Sequence, residues 1–282
     1  MLTQEERRIK DEILTVAGVT PFEEFDVKGA IRKRIDYLKN YVRSNNRKGI
    51  VLGISGGVDS STAGKLSQIA MQELRDEGYE AYFIAMRLPY KVQLDENEAQ
   101  DALKFIQPDR VVTTNIGNGT DAIFDSVTSS LYDACLGLPT SCTNDFAKGN
   151  VKARMRMIAQ FSIAGMHDML VLGTDHNAEF VAGFYTKFGD GACDLTVLNG
   201  LNKRQVRACA KELGAPDWLW SKTPTADLED DRPQIEDEVV LGFTYVEMDD
   251  FLEGKDIDIE VQKRIIEQYR ITAHKRALPV GV

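Results

Sequence analysis

Ile50-Val-Leu-Gly-Ile-Ser-Gly-Gly-Val-Asp-Ser-Ser-Thr62 limits what this chain can become more than any other stretch. It opens as an apolar run and breaks at a glycine pair. Ala63, Leu66, Ile69, Ala70 and Leu74 then recur at roughly helical spacing. The pattern predicts a strand at 50–54, a tight Gly-rich turn and a helix at 60–76. Such a turn presents backbone N–H groups and the positive end of a helix dipole, which together bind anions. Gly56 and Gly57 let the backbone approach a phosphate closely and adopt positive φ where required. Ser55 and Ser60 add hydroxyls. Asp59 adds a carboxylate that phosphates alone would repel, a pairing that makes sense if a divalent cation bridges them.

Two familiar phosphate loops are excluded. A Walker loop needs four residues between its glycine and its Gly-Lys, whereas six separate Gly57 from Gly64-Lys65, and Leu66 follows in place of Ser or Thr. The G-x-G-x-x-G dinucleotide fingerprint is also absent from this turn. What remains, SGGVDS after a strand, resembles the pyrophosphate loop of the ATP pyrophosphatase superfamily, whose members cleave ATP between the α and β phosphates to adenylate a substrate. A plain Gly-Ser turn before an α/β helix is the bland alternative.

Along the rest of the chain, helices are expected at 4–17 and 28–45, the first opening with Thr3 and Glu6 in capping-box spacing. The second carries Ile31, Ile35, Leu38 and Val42 on one stripe, suited to packing within the chain or against a partner subunit. Further strands are predicted at 81–86, 110–116 and 169–173, and helices at 95–106, 120–135, 148–165 and 258–273. Residues 87–93 and 137–142 read as loops. Strands alternating with helices imply right-handed crossovers and an α/β fold with a doubly wound parallel sheet, flanked by N- and C-terminal helices. The loops after 54, 86, 116 and 173 would line one crevice at the carboxyl ends of the strands. A single domain is expected, made of N-terminal helices (1–48), a parallel-sheet core (49–215), and a lid loop with C-terminal helices (216–282).

Composition narrows the class. Hydrophobic residues at 43% and charged residues at 28% suit a soluble globular chain, and no apolar run reaches membrane-spanning length. Met1-Leu-Thr-Gln-Glu-Glu-Arg-Arg is not a secretory signal. Cys135, Cys142, Cys193 and Cys209 form no C-x-x-C, which points to the reducing cytoplasm and away from a zinc or disulfide framework. A net charge of −10 disfavours a large nucleic-acid footprint.

A second informative stretch runs Leu172-Gly-Thr-Asp-His-Asn-Ala-Glu179. It is another strand-end turn, with Thr174 or Asp175 placed to cap the next helix. Glu179 would face Asp59 across the crevice and give Mg²⁺ two carboxylates, unless it sits on a solvated helix face. His176 reads as a local hydrogen-bonding residue rather than a base.

GNVKARMRMIAQ (149–160), LGTDHNAE (172–179), GFYTKFGDGACDL (183–195), LNKRQVR (201–207), PTADLEDDRP (224–233) and HKR (274–276) together resemble NAD synthetase. The resemblance runs in order from about residue 30 to 279 and is to the short, ammonia-dependent form. Glutamine-dependent relatives carry an extra amidohydrolase domain, for which there is no room before Ser55.

The resemblance implies that deamido-NAD, ATP and ammonia give NAD, AMP and pyrophosphate. The nicotinate carboxylate would attack the α-phosphorus, and ammonia would then displace AMP from the adenylate. Carried onto matching positions, Gly53, Ile54, Ser55, Gly56, Gly57, Val58, Asp59 and Ser60 would hold ATP, with Thr174, Lys203 and Thr225 completing its site. Asp59 and Glu179 would bind Mg²⁺. Arg154, Lys187, Asp194, His274 and Lys275 would hold deamido-NAD. Ser55, Lys203 and Asp190 would act closest to the chemistry, Asp190 by drawing in ammonium, although an Asp-Gly turn accounts for it equally well. Lys91 and the 221–236 segment would form loops closing over ATP, or else a solvated acidic linker. The family implies a homodimer, with the N-terminal helices as candidate contacts.

Two departures stand out. Val58 replaces a glutamine usual in short-form members, and the Leu136–Cys142 loop is longer than typical. Three rivals remain at this point. A tRNA-modifying ATP pyrophosphatase would favour a basic face or paired cysteines. A GMP synthetase-like amidation fits the TKFGDG and HKR segments poorly. A nucleotide sensor without turnover is at odds with intact Asp59, Glu179 and Lys203.

Overall fold

Gly49–Gly53 forms the strand β1 between Tyr82–Arg87 (β2) and Leu170–Gly173 (β4), and its first four residues are all buried. Continuous burial is what a central parallel strand covered on both faces requires. The computed structural model describes every residue except 92–95, 139, 227–229, 231–234, 278, 280 and 282, with backbone alone at 96, 225 and 226. Arg110–Thr113 (β3) and Leu195–Thr196 (β5) complete a parallel sheet of order β3-β2-β1-β4-β5. The order reverses direction between β1 and β4, and that switch point is where a doubly wound sheet opens its ligand crevice.

Alternation along β1 divides the core. Ile50 and Leu52 face one layer together with Phe83 and Ala85, whereas Val51 faces the other with Ile84, Met86 and Val171. The first layer holds Val27–Ser44 (α2), Val58–Asp76 (α3), Glu96–Ile106 (α4) and Lys203–Glu212 (α8). The second is built on Ser141–His167 (α6), against which Gly117–Asp133 (α5) packs. Ile35, Leu38 and Val42 of α2 are buried against this same chain, each contributing roughly 2 kcal/mol. The apolar stripe of α2 is therefore spent on internal packing.

Gln4–Ala17 (α1) begins at the expected capping box, with Thr3 and Glu6 satisfying each other's N–H groups. It joins a separate cluster with Asn177–Ala182 (α7), Tyr245–Leu252 (α11) and Ile259–Ile271 (α12), where Ile13, Val181, Phe251 and Ile265 are fully buried. Asp217–Ser221 (α9), Asp237–Leu241 (α10) and Ala273–Arg276 (α13) are short. Thr225–Ala226 (β6) and Ile235–Glu236 (β7) pair as an antiparallel ribbon.

Several boundaries depart from the sequence pattern. The strand expected at 110–116 ends at Thr113, because Asn115 Oδ1 accepts the Gly117 N–H at 2.9 Å and turns the chain into α5. The loop expected at 137–142 already contains the start of α6. Thr140 caps that helix by accepting the Thr143 N–H, so it begins seven residues before the predicted 148. The C-terminal helix expected at 258–273 breaks at Thr272, which ends α12 and starts α13. β5, β6 and β7 have no counterpart in the sequence reading.

Candidate active site

The turn after β1 delivers Ser55 to Ser60 to the carboxyl end of the sheet. Gly56 adopts φ +87°, and a Cβ there would lie 3.2 Å from the Ala99 backbone nitrogen. Both conditions select glycine. Gly57 has an ordinary φ of −78° and serves as the N-cap of α3, and being glycine it brings no side chain to cap the first turn. Those N–H groups thus face a position suited to an anion. Ser55 and Ser60 hydroxyls lie 3.1 Å apart, and Ser60 Oγ also accepts the Ser55 N–H. The Gly53 N–H donates to Gln160 Oε1 of α6 at 2.7 Å, while Ile54 and Val58 are buried in the core.

Across the switch point, β4 delivers Thr174 to Glu179. His176 is the N-cap of α7, in place of Thr174 or Asp175, and its Nδ1 accepts the Glu179 N–H. Asp59, His176 and Glu179 present ligand atoms all within 4.8 Å of one another. Asp59 and Glu179 thus face each other as the pattern predicted, with His176 between them.

Lys203, the first residue of α8, enters this cluster from the side. Its ammonium lies 2.7 Å from Asp59 Oδ2 and 3.8 Å from Glu179 Oε1, and the residue is 1% exposed. Burial alone would lower its pKa; Asp59 and Glu179 outweigh that and hold it above the ordinary lysine value. Burial likewise works to raise the Glu179 carboxyl, but His176 and Lys203 bring it down to about 2. Asp175 is held well above the carboxylate range, by burial first and then by Glu179, Asp190 and Asp59.

The supporting residues were not legible in the sequence. Asp249 of α11 accepts the backbone N–H groups of Lys203 and Arg204 at 3.0 and 2.7 Å, fixing the start of α8. Tyr245 places its ring 4.8 Å from the Lys203 ammonium and donates its hydroxyl to Asp237 at 3.1 Å. Burial pushes the Asp237 carboxyl up to about 6. Asp249 lies 46 positions from Lys203, so no local pattern could have announced it. The Thr-x-x-Glu capping box at Thr244–Glu247 marks where α11 begins, but not what it touches.

Of the second expected set, Arg154, Lys187, His274 and Lys275 come together and Asp194 does not. Arg154 of α6 donates to the Lys187 carbonyl at 3.3 Å, and Lys187 donates to the carbonyls of His274 and Ala277. Lys275 donates to the carbonyls of Gly183 and Tyr185, both at 2.7 Å. Asp190 is exposed, with Oδ1 accepting the Thr186 N–H at 3.0 Å. Asp194 stands apart at the sheet edge, its carboxylate accepting the Val171 N–H at 2.7 Å. Thr225 lies in β6, and its side chain is outside the described residues. Of the expected lid, Lys91 pairs with Asp121 at 2.8 Å and Asp230 bridges Lys148 and Lys152 at 2.9 and 2.6 Å. Much of 221–236 lies outside the described residues.

Known proteins resemble this chain over nearly its whole length. A family model described as NAD synthase matches residues 30–279. An NH(3)-dependent NAD(+) synthetase of Nocardia farcinica is 52% identical over 273 residues, covering 97% of this chain and 96% of its own. One from Shewanella oneidensis is also 52% identical, over 95% of this chain and 96% of its own. Among solved structures, NAD+ synthetase from Burkholderia pseudomallei superimposes with a TM-score of 0.79 at 45% identity, covering 98% of this chain and 97% of that one. An NMN synthetase from Francisella tularensis gives 0.78 at 30% identity, covering 92% and 99%. A family match over most of the chain, with relatives sharing half its residues across nearly their full length, establishes that this chain belongs to the NAD synthase family.

Proposed function

We propose that this chain amidates deamido-NAD to NAD with ATP and ammonia, releasing AMP and pyrophosphate through an adenylated carboxylate. The observation that carries this reading is the convergence of Asp59, Glu179 and Lys203 beside the uncapped N-terminus of α3, at the switch point of the sheet. A ligase of this kind needs positioning and charge neutralisation rather than a protein nucleophile. The first turn of α3 and the hydroxyls of Ser55 and Ser60 would receive the phosphates. Lys203 would neutralise charge developing on the leaving pyrophosphate. Thr174 and Thr225 would complete the ATP site.

The donor set suits Mg²⁺. Two carboxylates are hard oxygen ligands, and Asp59 Oδ1 is buried with no hydrogen-bond partner among the described residues. Asp59 and Glu179 would hold the ion, which supplies charge neutralisation to the phosphates when bound. Arg154, Lys187, His274 and Lys275 offer cationic and backbone-anchored groups for an anionic dinucleotide. Asp190 would draw ammonium towards the adenylate and take up its released proton.

The second copy of a homodimer would seat on the α5–α6 face. Ile123, Val127 and Phe146 are 48, 50 and 58% exposed there and, with Arg154, line a groove of about 360 Å³. This face is preferred to the N-terminal helices because the Ile35, Leu38 and Val42 stripe of α2 is already buried within the chain.

The solved NMN synthetase raises a mononucleotide as the alternative acceptor. The closer NAD(+) synthetase relatives favour the dinucleotide. Deamido-NAD carrying ¹⁸O in its nicotinate carboxyl tests the whole route. One ¹⁸O atom appearing in AMP is expected; unlabelled AMP would contradict adenylation.

A further inference from the structure

His176 is fully buried inside the crevice, yet neither phosphate binding nor ammonia transfer uses it. Its Nδ1 accepts the Glu179 N–H at 3.4 Å. A ring nitrogen that accepts carries no proton, so the ring hydrogen sits on Nε2. Nε2 has no hydrogen-bond partner among the described residues and lies 3.4 Å from Glu179 Oε1 and 3.6 Å from Asp59 Oδ1. Lys203 meanwhile occupies Asp59 Oδ2.

A metal-ligating histidine has the opposite arrangement. Its second nitrogen donates to a carbonyl or carboxylate, which leaves a lone pair for the ion. Here the second nitrogen faces a donor, so Nε2 presents a hydrogen to the two carboxylates. That single N–H, 3.4 and 3.6 Å from the two oxygens, brings a partial positive charge near both and offsets part of their mutual repulsion. The edge of Tyr245, with ring centroids 6.0 Å apart, limits how far the imidazole can swing.

We propose that His176 is a positioning residue whose Nε2–H sets the spacing of Asp59 and Glu179 without itself ligating the metal. The inference rests on the reading that those two carboxylates bind Mg²⁺.

Two variants separate the jobs of the ring. His176→Asn keeps an acceptor for the Glu179 N–H and removes the donor beyond it. His176→Gln reaches as far as Nε2 with a donor but gives up the cap. Mn²⁺ affinity, read by electron paramagnetic resonance in the presence of α,β-methylene-ATP, should fall about tenfold or more in His176→Asn. His176→Gln should recover most of that loss while melting lower than His176→Asn. ¹⁵N spectra of the wild-type rings, assigned by the signal missing in His176→Asn, should show Nε2 protonated before and after Mg²⁺ and the analogue are added. Loss of that proton on Mg²⁺ addition, or equal Mn²⁺ weakening in both variants, would overturn the proposal. Asp59→Asn is the control. Unchanged Mn²⁺ affinity there would overturn the metal reading itself, whereas a loss in Asp59→Asn with none in His176→Asn would remove the positioning role alone.

Discussion

The Lys203 ammonium lies 2.7 Å from Asp59 Oδ2, although 144 positions separate the two residues. The contact joins the turn after β1 to the start of α8, and Glu179 at 3.8 Å brings in the turn after β4. Three segments thereby share one buried charge balance.

Lys203→Met keeps the aliphatic length and removes the cation, leaving Asp59 and Glu179 uncompensated. Breaking a buried pair from one side costs about 3–5 kcal/mol. In Mg²⁺-free buffer the variant should unfold at clearly lower urea, and NAD formation should fall by roughly 100-fold or more. Wild-type turnover would remove Lys203 from the chemistry.

Gly56→Ala forces an L-residue to φ +87° and drives a methyl to within 3.2 Å of the Ala99 nitrogen. The left-handed conformation alone costs roughly 1–2 kcal/mol. The turn should shift away from the α3 N-terminus, and calorimetry should record at least a tenfold weaker affinity for ATP. Unaltered affinity would mean that phosphates bind elsewhere.

Lys275→Ala should raise KM for deamido-NAD about tenfold and leave KM for ATP nearly unchanged. Its ammonium ties the Gly183 and Tyr185 carbonyls to α13, and among the described residues it makes no hydrogen bond to the α3 turn. Equal effects on both substrates in steady-state kinetics would contradict the assignment.

Glu73 joins α2 to α3, meeting Arg32 at 2.7 Å and Lys39 at 2.8 Å. Arg32 first, and then Lys39 against the opposing effect of burial, hold its carboxyl down at about 2, below the ordinary glutamate value of 4.5. A depressed pKa contributes stability that is present above the unfolded value and lost as pH falls towards the folded one. Urea unfolding should show Glu73→Gln less stable by about 1 kcal/mol at pH 7, allowing for solvent screening. The gap should narrow as pH falls through 4.5. A gap that stays constant would show that charge is not its source.

Phe146→Asp places a carboxylate in the centre of the α5–α6 groove. Light scattering should report half the wild-type mass if a second copy covers that face. An unchanged mass would move the interface elsewhere.

Legibility in the sequence followed how local the cause was. The turn after β1 and the Thr174–Glu179 turn each declare themselves within a dozen residues, because glycine placement, apolar runs and acidic residues sit side by side. Two-residue β5 carries no period to detect, and its position is set by pairing with β4. The start of α6 was hidden for a different reason. Ser141, Cys142, Thr143, Phe146 and Ala147 are exposed, so no buried stripe marks that stretch as a helix. His176 was visible as a residue but not as a donor between two carboxylates, since Asp59 reaches it only through the parallel crossover.

Product formation by the purified protein with ATP, Mg²⁺ and deamido-NAD tests the central claim most directly, run with ammonium, with glutamine and with neither. NAD and AMP should appear in equal amounts with ammonium alone. AMP without NAD, or NAD formed only from glutamine, would contradict the account.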